Sequence, residues 1–379
     1  MKIKSLDFYP IKALRPIPLT SATLTPQGIL HDRTYMLFKV NPDSTLRKLQ
    51  LSSFPQCALF SQEIMSSSGD KGVENDPSSD DTILVKYHIP LPPLIDHHPL
   101  QDTTLSVPLV PDASKLEKVT VDLHGSPTEA LRMGDPYDAF FSACLGFPTI
   151  LVHIGSGRRA VLGTLAPGSS ATTQQPSLLS SITSYLPFTS STPKPDHWLT
   201  FTDCAPYLIT SSSSLSYPSL TPYSPASPDT PSPIMPKFRP NIVVEDPSEA
   251  PFAEDFWGEL SLPKSGAKLL LTANCGRCSS LNVDYALGRQ APGPEGKLLN
   301  TLMKDRRVDP GHKYAPIFGR YAFLSVDGPE GSAEGTEPDQ ARVKVSVGDE
   351  VTITRRNAER TVFDWPLNAA PPNKSVAVA

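Results

Sequence analysis

The 379-residue chain has room for two or three domains and a sizeable core, and it carries a formal net charge of −5 with a sequence pI near 5.9. That balance excludes a broadly basic surface for nucleic acid or anionic membrane, so any phosphate binding falls to local clusters of cations. Five cysteines, an odd number in so long a chain, do not suggest a disulfide framework and point to a reducing compartment, while 42 prolines, roughly twice the usual share, signal long irregular segments.

From the N-terminus, Met1 to Pro10 alternates apolar and polar residues as a strand does, with none of the pattern of a targeting peptide. Short strands are predicted over Thr34–Val40, Thr82–Ile89, Lys118–Leu123, Ile150–His153, Asn241–Val244, Ala267–Leu271, Tyr321–Ser325 and Glu350–Arg355, where apolar and β-branched residues concentrate. Helices are fewer: Pro136–Leu145, with Phe140, Phe141, Cys144 and Leu145 on one core-facing side, and Glu295–Arg306. Between these lie Ser61–Asp81, polar and acidic, then Ala166–Pro195 and Ser211–Pro236, both rich in Ser, Thr and Pro, and a loop over residues 327–342. Such segments bury too little apolar surface to offset the entropy of ordering and are expected to be mobile insertions, as is the tail from 367 to 379. Lys304-Asp305-Arg306-Arg307 and Arg355-Arg356 read as solvated charge. No stretch approaches the roughly 20 apolar residues that cross a bilayer, and a cytosolic location is the simplest expectation, with mitochondrial association as an alternative.

The most informative segment follows the run Leu269-Leu270-Leu271: Asn274-Cys275-Gly276-Arg277-Cys278, continued by Asn282-Val283-Asp284. A thiolate suits soft metals, and a guanidinium offers a planar fork for phosphate or carboxylate. On spacing alone the pair could be a redox dithiol, half a zinc site or two buried structural thiols. Zinc is disfavoured because Cys57, Cys144 and Cys204 stand singly and provide no second pair.

Several separated motifs share one chain order: Tyr9-Pro10-Ile11-Lys12, His31-Asp32-Arg33-Thr34-Tyr35, Phe238-Arg239-Pro240-Asn241, Pro251 to Trp257, Cys275-Gly276-Arg277-Cys278, and Pro316 to Tyr321. In that order they resemble MOSC domain proteins, the molybdenum cofactor sulfurase C-terminal type, with the N-terminal β-barrel domain found in the mitochondrial amidoxime reducing component and its bacterial relatives. The resemblance implies a mainly β protein with some α (α+β), a MOSC N-terminal β-barrel-like domain over 1–125 and a MOSC β-barrel over 126–366. It also implies a molybdenum cofactor with Cys278 on the metal, and Lys12, Arg33 and Arg239 on the pterin phosphate. Asn241, two residues beyond Arg239 and so on the same side of a strand, hydrogen-bonds the pterin. Arg277 belongs to the same cofactor loop, and Asp203, in Phe201-Thr202-Asp203-Cys204, stands at the mouth of the site or caps a turn.

The chain departs from the family at Ala13, where relatives carry Ser, at Cys204-Ala205, where they carry Thr-Ser, and at Ser52, where many carry Arg. Main-chain N–H groups at Ala13, Cys204 and Ala205 would replace the missing hydroxyl contacts. The activity implied is reduction of small N-hydroxylated substrates such as amidoximes, hydroxylamines and N-oxides. There is no C-terminal four-cysteine set for an iron–sulfur cluster, so electrons would come from a separate cytochrome b-type haem protein and its flavin reductase. Two other readings are a persulfide on Cys278 for sulfur transfer and a non-enzymatic cofactor carrier or scaffold using the proline-rich loops.

Overall fold

The computed structural model describes residues 1–66, 78–169, 197–223, 232–325 and 341–366, and the fold is mainly β with a few helices. Its largest sheet has eight strands, in the spatial order Ile17–Leu19, Lys2–Phe8, Ile242–Glu245, Tyr207–Ser211, Ile317–Ser325, Ala267–Gly276, Trp257–Leu262 and Thr352–Arg356. One pairing, Tyr207–Ser211 with Ile242–Glu245, is parallel. A five-stranded sheet joins Glu117–Leu123, Ser126–Arg132, Thr149–His153, Tyr35–Val40 and Leu46–Lys48, and a three-stranded one joins Phe60–Met65, Thr82–Tyr87 and Thr104–Pro108.

The two ends of the chain interleave. Lys2–Phe8 pairs with Ile242–Glu245, and Val343–Ser346 pairs with Ser21–Thr25. One hydrophobic core runs accordingly from Ile3, Leu6 and Phe8 through Phe60, Phe140 and Phe141 to Trp257, Leu269 and Leu324. The helix Tyr137–Leu145 contributes as its spacing predicts: Phe141 lies 5.4 Å from the Phe60 ring, and Gly146, left-handed at φ 78°, closes the helix.

The predicted strands are present within a residue or two at most ends, and two run further. Ala267–Gly276 runs five residues beyond Leu271, because Ile317–Ser325 continues to pair with it, through two register shifts, as far as Gly276; alternate burial gives way there to the consecutively buried Ala273, Asn274 and Cys275. The expected helix over Glu295–Arg306 divides into a 3-10 turn, Gly293–Lys297, and an α-helix, Leu298–Asp305, since Gly293, Pro294 and Gly296 weaken the first turn.

Other expectations require correction. Residues 61–65 are not a mobile insertion but part of the strand Phe60–Met65, with Gln62 and Ile64 buried on one face. Much of the segment from Ser211 to Pro236 is also ordered: Leu220, Tyr223, Ile234 and Met235 pack with Phe238, Phe252, Leu281 and Phe318. Four large apolar anchors spaced among its serines and prolines outweigh the composition. Arg306 is not a solvated charge: it is buried, its Nη2 donates to both Asp255 carboxylate oxygens at 2.7 and 2.9 Å, and the guanidinium lies 3.7 Å over the Phe252 ring. Residues 67–77, 170–196, 224–231, 326–340 and 367–379, on which the remaining insertion and tail expectations fall, lie outside the described residues.

Candidate functional site

The loop Tyr9–Arg15 between the first two strands is built on buried polar contacts. The Ile11 amide donates to Gln62 Oε1 at 3.0 Å, Gln62 Nε2 donates to the Arg15 carbonyl at 2.7 Å, and the Lys12 amide donates to the Tyr35 carbonyl at 2.9 Å. Ala13 then takes a left-handed conformation, φ 74°, beside Lys12, and both residues line an open cleft.

Arg33 reaches that cleft from the second motif. Its backbone is also left-handed, φ 50°, and its guanidinium pairs with the buried Asp32 carboxylate, donates to Asn241 Oδ1 at 3.2 Å and to the Arg239 carbonyl at 3.2 Å. Burial, the largest single effect, disfavours the Arg33 charge, but Asp32, Tyr9 and Asp203 together outweigh it and hold the guanidinium above its usual range. Arg239 ends the short helix Met235–Phe238 at φ 56°. Its Nη1 donates to the Leu14 carbonyl at 2.8 Å, while its buried Nη2 has no partner among the described residues. Both guanidinium carbons stand 4.4 Å from the centroid of the buried Tyr9 ring, which holds the two cations near each other.

The two motif thiols separate cleanly. Cys275 is the buried end of a strand, and burial, only partly opposed by Arg277, raises its pKa. Cys278 is exposed, opens the 3-10 turn Ser279–Asn282 and lies 3.1 Å from Ser280 Oγ. Gly276 permits this turn, since a Cβ there would meet the His312 ring at 2.5 Å. Arg277 secures it from behind: Nε and Nη2 donate to the Phe318 carbonyl at 2.9 and 2.6 Å, and Nη1 donates to the Phe238 carbonyl at 2.8 Å.

The Asp203 carboxylate lines the cleft, where its contacts are with side chains. One oxygen, Oδ1, accepts from Lys12 Nζ at 2.6 Å and contacts His124 Nε2 at 3.2 Å. Although the carboxylate lies deep among protein atoms, about half of its side-chain surface faces the cleft, at 47% exposed. Burial opposes its ionisation, but Lys12 and His124 prevail and hold the carboxyl well below the usual carboxylate range. Lys12 is lowered to about 8, by burial first and despite Asp203.

Nine of the ten residues singled out from the sequence line the cleft: Lys12, Ala13, Arg33, Asp203, Ala205, Arg239, Asn241, Arg277 and Cys278. Cys204 does not line it but is buried in a cluster with Leu208, Ala273, Cys275 and Tyr321, of which Leu208, Cys275 and Tyr321 form part of the wall. Asn241 is not on a strand with Arg239, since the strand begins at Ile242 and Arg239 is left-handed. Its side chain is used internally, toward Arg33, the Leu208 amide at 3.2 Å and Asp32 at 3.2 Å.

Lys237, His124 and Arg159 escaped the sequence reading. Lys237 lines the cleft and pairs with Glu295 at 3.1 Å. Arg159 is fully buried and donates to five carbonyls, those of Leu123 (2.7 Å), Ser126 (3.2 Å), Thr200 (2.9 Å), Thr202 (2.6 Å) and Asp203 (3.5 Å), clamping the hairpin that bears His124 to the loop that bears Asp203. The only weak signal for His124 is the dipeptide His124-Gly125 between two β-rich runs, a hairpin turn.

In a chain of net charge −5, the cleft is lined by five basic side chains and the single carboxylate of Asp203. An exposed thiol, clustered cations and an unpartnered buried guanidinium nitrogen form a donor set that fits an anionic group carrying a thiophilic metal. Residues 1–148 match the MOSC N-terminal beta barrel domain and residues 196–352 the MOSC domain. The chain belongs to the MOSC domain family, which is associated with molybdenum cofactor sulfurase C-terminal domains and amidoxime-reducing proteins. Among curated proteins, none matches the chain. No helix of the described residues is long and apolar enough to cross a membrane.

Proposed function

We propose that this protein is a molybdenum-cofactor oxidoreductase that reduces small N-hydroxylated compounds, with electrons from a separate haem protein. The observation that carries this reading is the convergence, on one cleft, of the exposed Cys278 thiol with Arg33 and Arg239, whose Nη2 lacks a partner among the described residues. Cys278 would ligate the metal, and Arg33, Arg239 and Lys12 would hold the pterin phosphate. The cofactor, when bound, supplies the two-electron chemistry. Asn241 and Asp32 fix the Arg33 fork, Arg277 fixes the Cys278 turn, and the Asp203 carboxylate presents a hydrogen-bonding group to whatever enters the cleft.

The exposed thiol also supports a persulfide carrier, but the cationic lining favours an anionic cofactor. Molybdenum per chain, measured in protein made by a cofactor-competent host, distinguishes them. Near-stoichiometric metal in the wild type, with amidoxime reduction abolished in Cys278→Ala, is expected. A folded wild type with labile sulfur and no metal would overturn the oxidoreductase reading, as would full turnover by Cys278→Ala.

A further inference from the structure

Lys12 and His124 compete for one atom. Asp203 Oδ1 is 2.6 Å from Lys12 Nζ and 3.2 Å from His124 Nε2, so the two donors share an acceptor that needs only one of them to remain oriented. Their mobilities differ. The Lys12 side chain is buried, but its ammonium sits on a four-carbon stem that hydrogen bonds fix only at its two ends, the backbone amide and this Asp203 contact. His124 sits in a two-residue turn, φ 60° followed by Gly125 at φ 77°, and its carbonyl accepts from Trp365 Nε1 at 2.8 Å. The flanking carbonyls of Leu123 and Ser126 are both held by Arg159.

The same ring nitrogen has a second neighbour, the side-chain amide of Gln50 at 3.3 Å. Bare, Nε2 accepts from that amide; protonated, it donates to Asp203. One nitrogen therefore stands between a neutral donor and an ionised acceptor.

We infer that His124 is a positioning residue of this cleft, the fixed donor that keeps Asp203 oriented when an anionic ligand draws the Lys12 ammonium off the shared oxygen. The inference rests on the proposed function only in giving Lys12 to the cofactor's phosphate. The charged groups facing the imidazole are Asp203, Lys12 and Lys48. Burial holds His124 below its ordinary pKa, Asp203 opposes this, and the two lysines add to it. An anion at Lys12 neutralises the nearer of those cations and frees the carboxylate, and both changes favour the Nε2–H form that donates.

Two measurements test this. In cofactor-free protein with isotope-labelled histidine, the His124 ring resonance, assigned by its loss in His124→Asn, should titrate at higher pH once inorganic phosphate is added, by about one unit. A midpoint unmoved by phosphate overturns the inference. In the holoprotein, His124→Asn tolerates the left-handed backbone but cannot reach Asp203. It should retain molybdenum and melting temperature yet reduce an aryl amidoxime about tenfold more slowly or worse. His124→Gln, which reaches but does not titrate, should restore most turnover and lose the alkaline limb of the pH profile, where the wild-type imidazole gives up the proton it donates. Wild-type turnover by His124→Asn at every pH overturns the inference alone, whereas a wild type without metal overturns the underlying oxidoreductase reading.

Discussion

Replacing Arg159 by methionine should unfold the protein from its site outward. The guanidinium is fully buried, and no side-chain carboxylate bonds it; its five N–H groups serve the carbonyls of Leu123, Ser126, Thr200, Thr202 and Asp203 instead. Burial lowers its pKa to about 10, yet it stays charged at neutral pH. Methionine fills much of the volume but leaves five carbonyl acceptors without this donor, each costing roughly 1–3 kcal/mol before water enters or the loops relax. Relief of the desolvated charge returns part of this, and breaking such buried networks typically costs about 3–5 kcal/mol net. Taking about 4 kcal/mol, and about 2 °C per kcal/mol for a chain of this size, the melting temperature should fall by about 8 °C. Arg159→Lys, which offers one compact donor group in place of a fork, should lose about half as much. Thermal denaturation followed by circular dichroism at pH 7.5 reads both. A methionine variant that melts within about 2 °C of the wild type would show that the clamp does not join the His124 hairpin to the Asp203 loop, and the reasoning would fail.

Tyr9→Phe should leave stability unchanged or raise it by up to about 1 kcal/mol, because the buried hydroxyl has no partner and the ring that holds the arginines is kept; Tyr9→Leu should instead lower molybdenum retention, and equal retention in the two variants would sink the stacking argument. Glu254, fully buried against the Ser214 hydroxyl at 2.7 Å, is raised to about 7, by burial first. The folded state then binds the proton that the unfolded state has lost, so this group's contribution falls as pH rises from about 4.5 through 7. Glu254→Gln removes the penalty and should be stabilised relative to wild type at pH 8 but not at pH 4.5, as read by urea denaturation; a difference that does not depend on pH would refute it.

What the sequence reveals and what it hides follow from the range of the interactions. Period-two alternation marks strands locally, so Lys118–Leu123 could be read directly, the short apolar β-branched run Ile150–His153 marked a strand buried on both faces, and the aromatic face of Tyr137–Leu145 declared itself as core. The C-x-x-C could be found but not resolved, because only the pairing of Ala267–Gly276 with Ile317–Ser325 decides that Cys275 ends buried and Cys278 stays exposed. Arg159 and His124 were invisible for the opposite reason. Arg158-Arg159 has the look of solvated charge, and what makes Arg159 structural is the arrival of carbonyls from residues 33 to 43 positions away. Composition misled around Leu220 and Tyr223, where a few large side chains among many prolines were enough to order a segment.

The backbone around the cleft carries its own argument for function. Ala13, Arg33, His124 and Arg239 all hold left-handed conformations, at φ 74°, 50°, 60° and 56°, and each costs of order 1 kcal/mol for a residue with a Cβ. They come from four separate stretches of chain, so no local sequence preference explains their concurrence. What they share is the direction they give: each turns its segment toward one cleft or toward the carboxylate within it. The surrounding bonds over-determine them, with Gln62 and Tyr35 on the Lys12 loop, Asp32 and Asn241 on Arg33, Arg159 on the His124 hairpin and Leu14 on Arg239. A fold that held these charges only for stability could relax them to ordinary backbone and let them reach solvent. Holding them converged costs strain and mutual repulsion, and the cost is recovered only when an anion arrives to meet cations already in place.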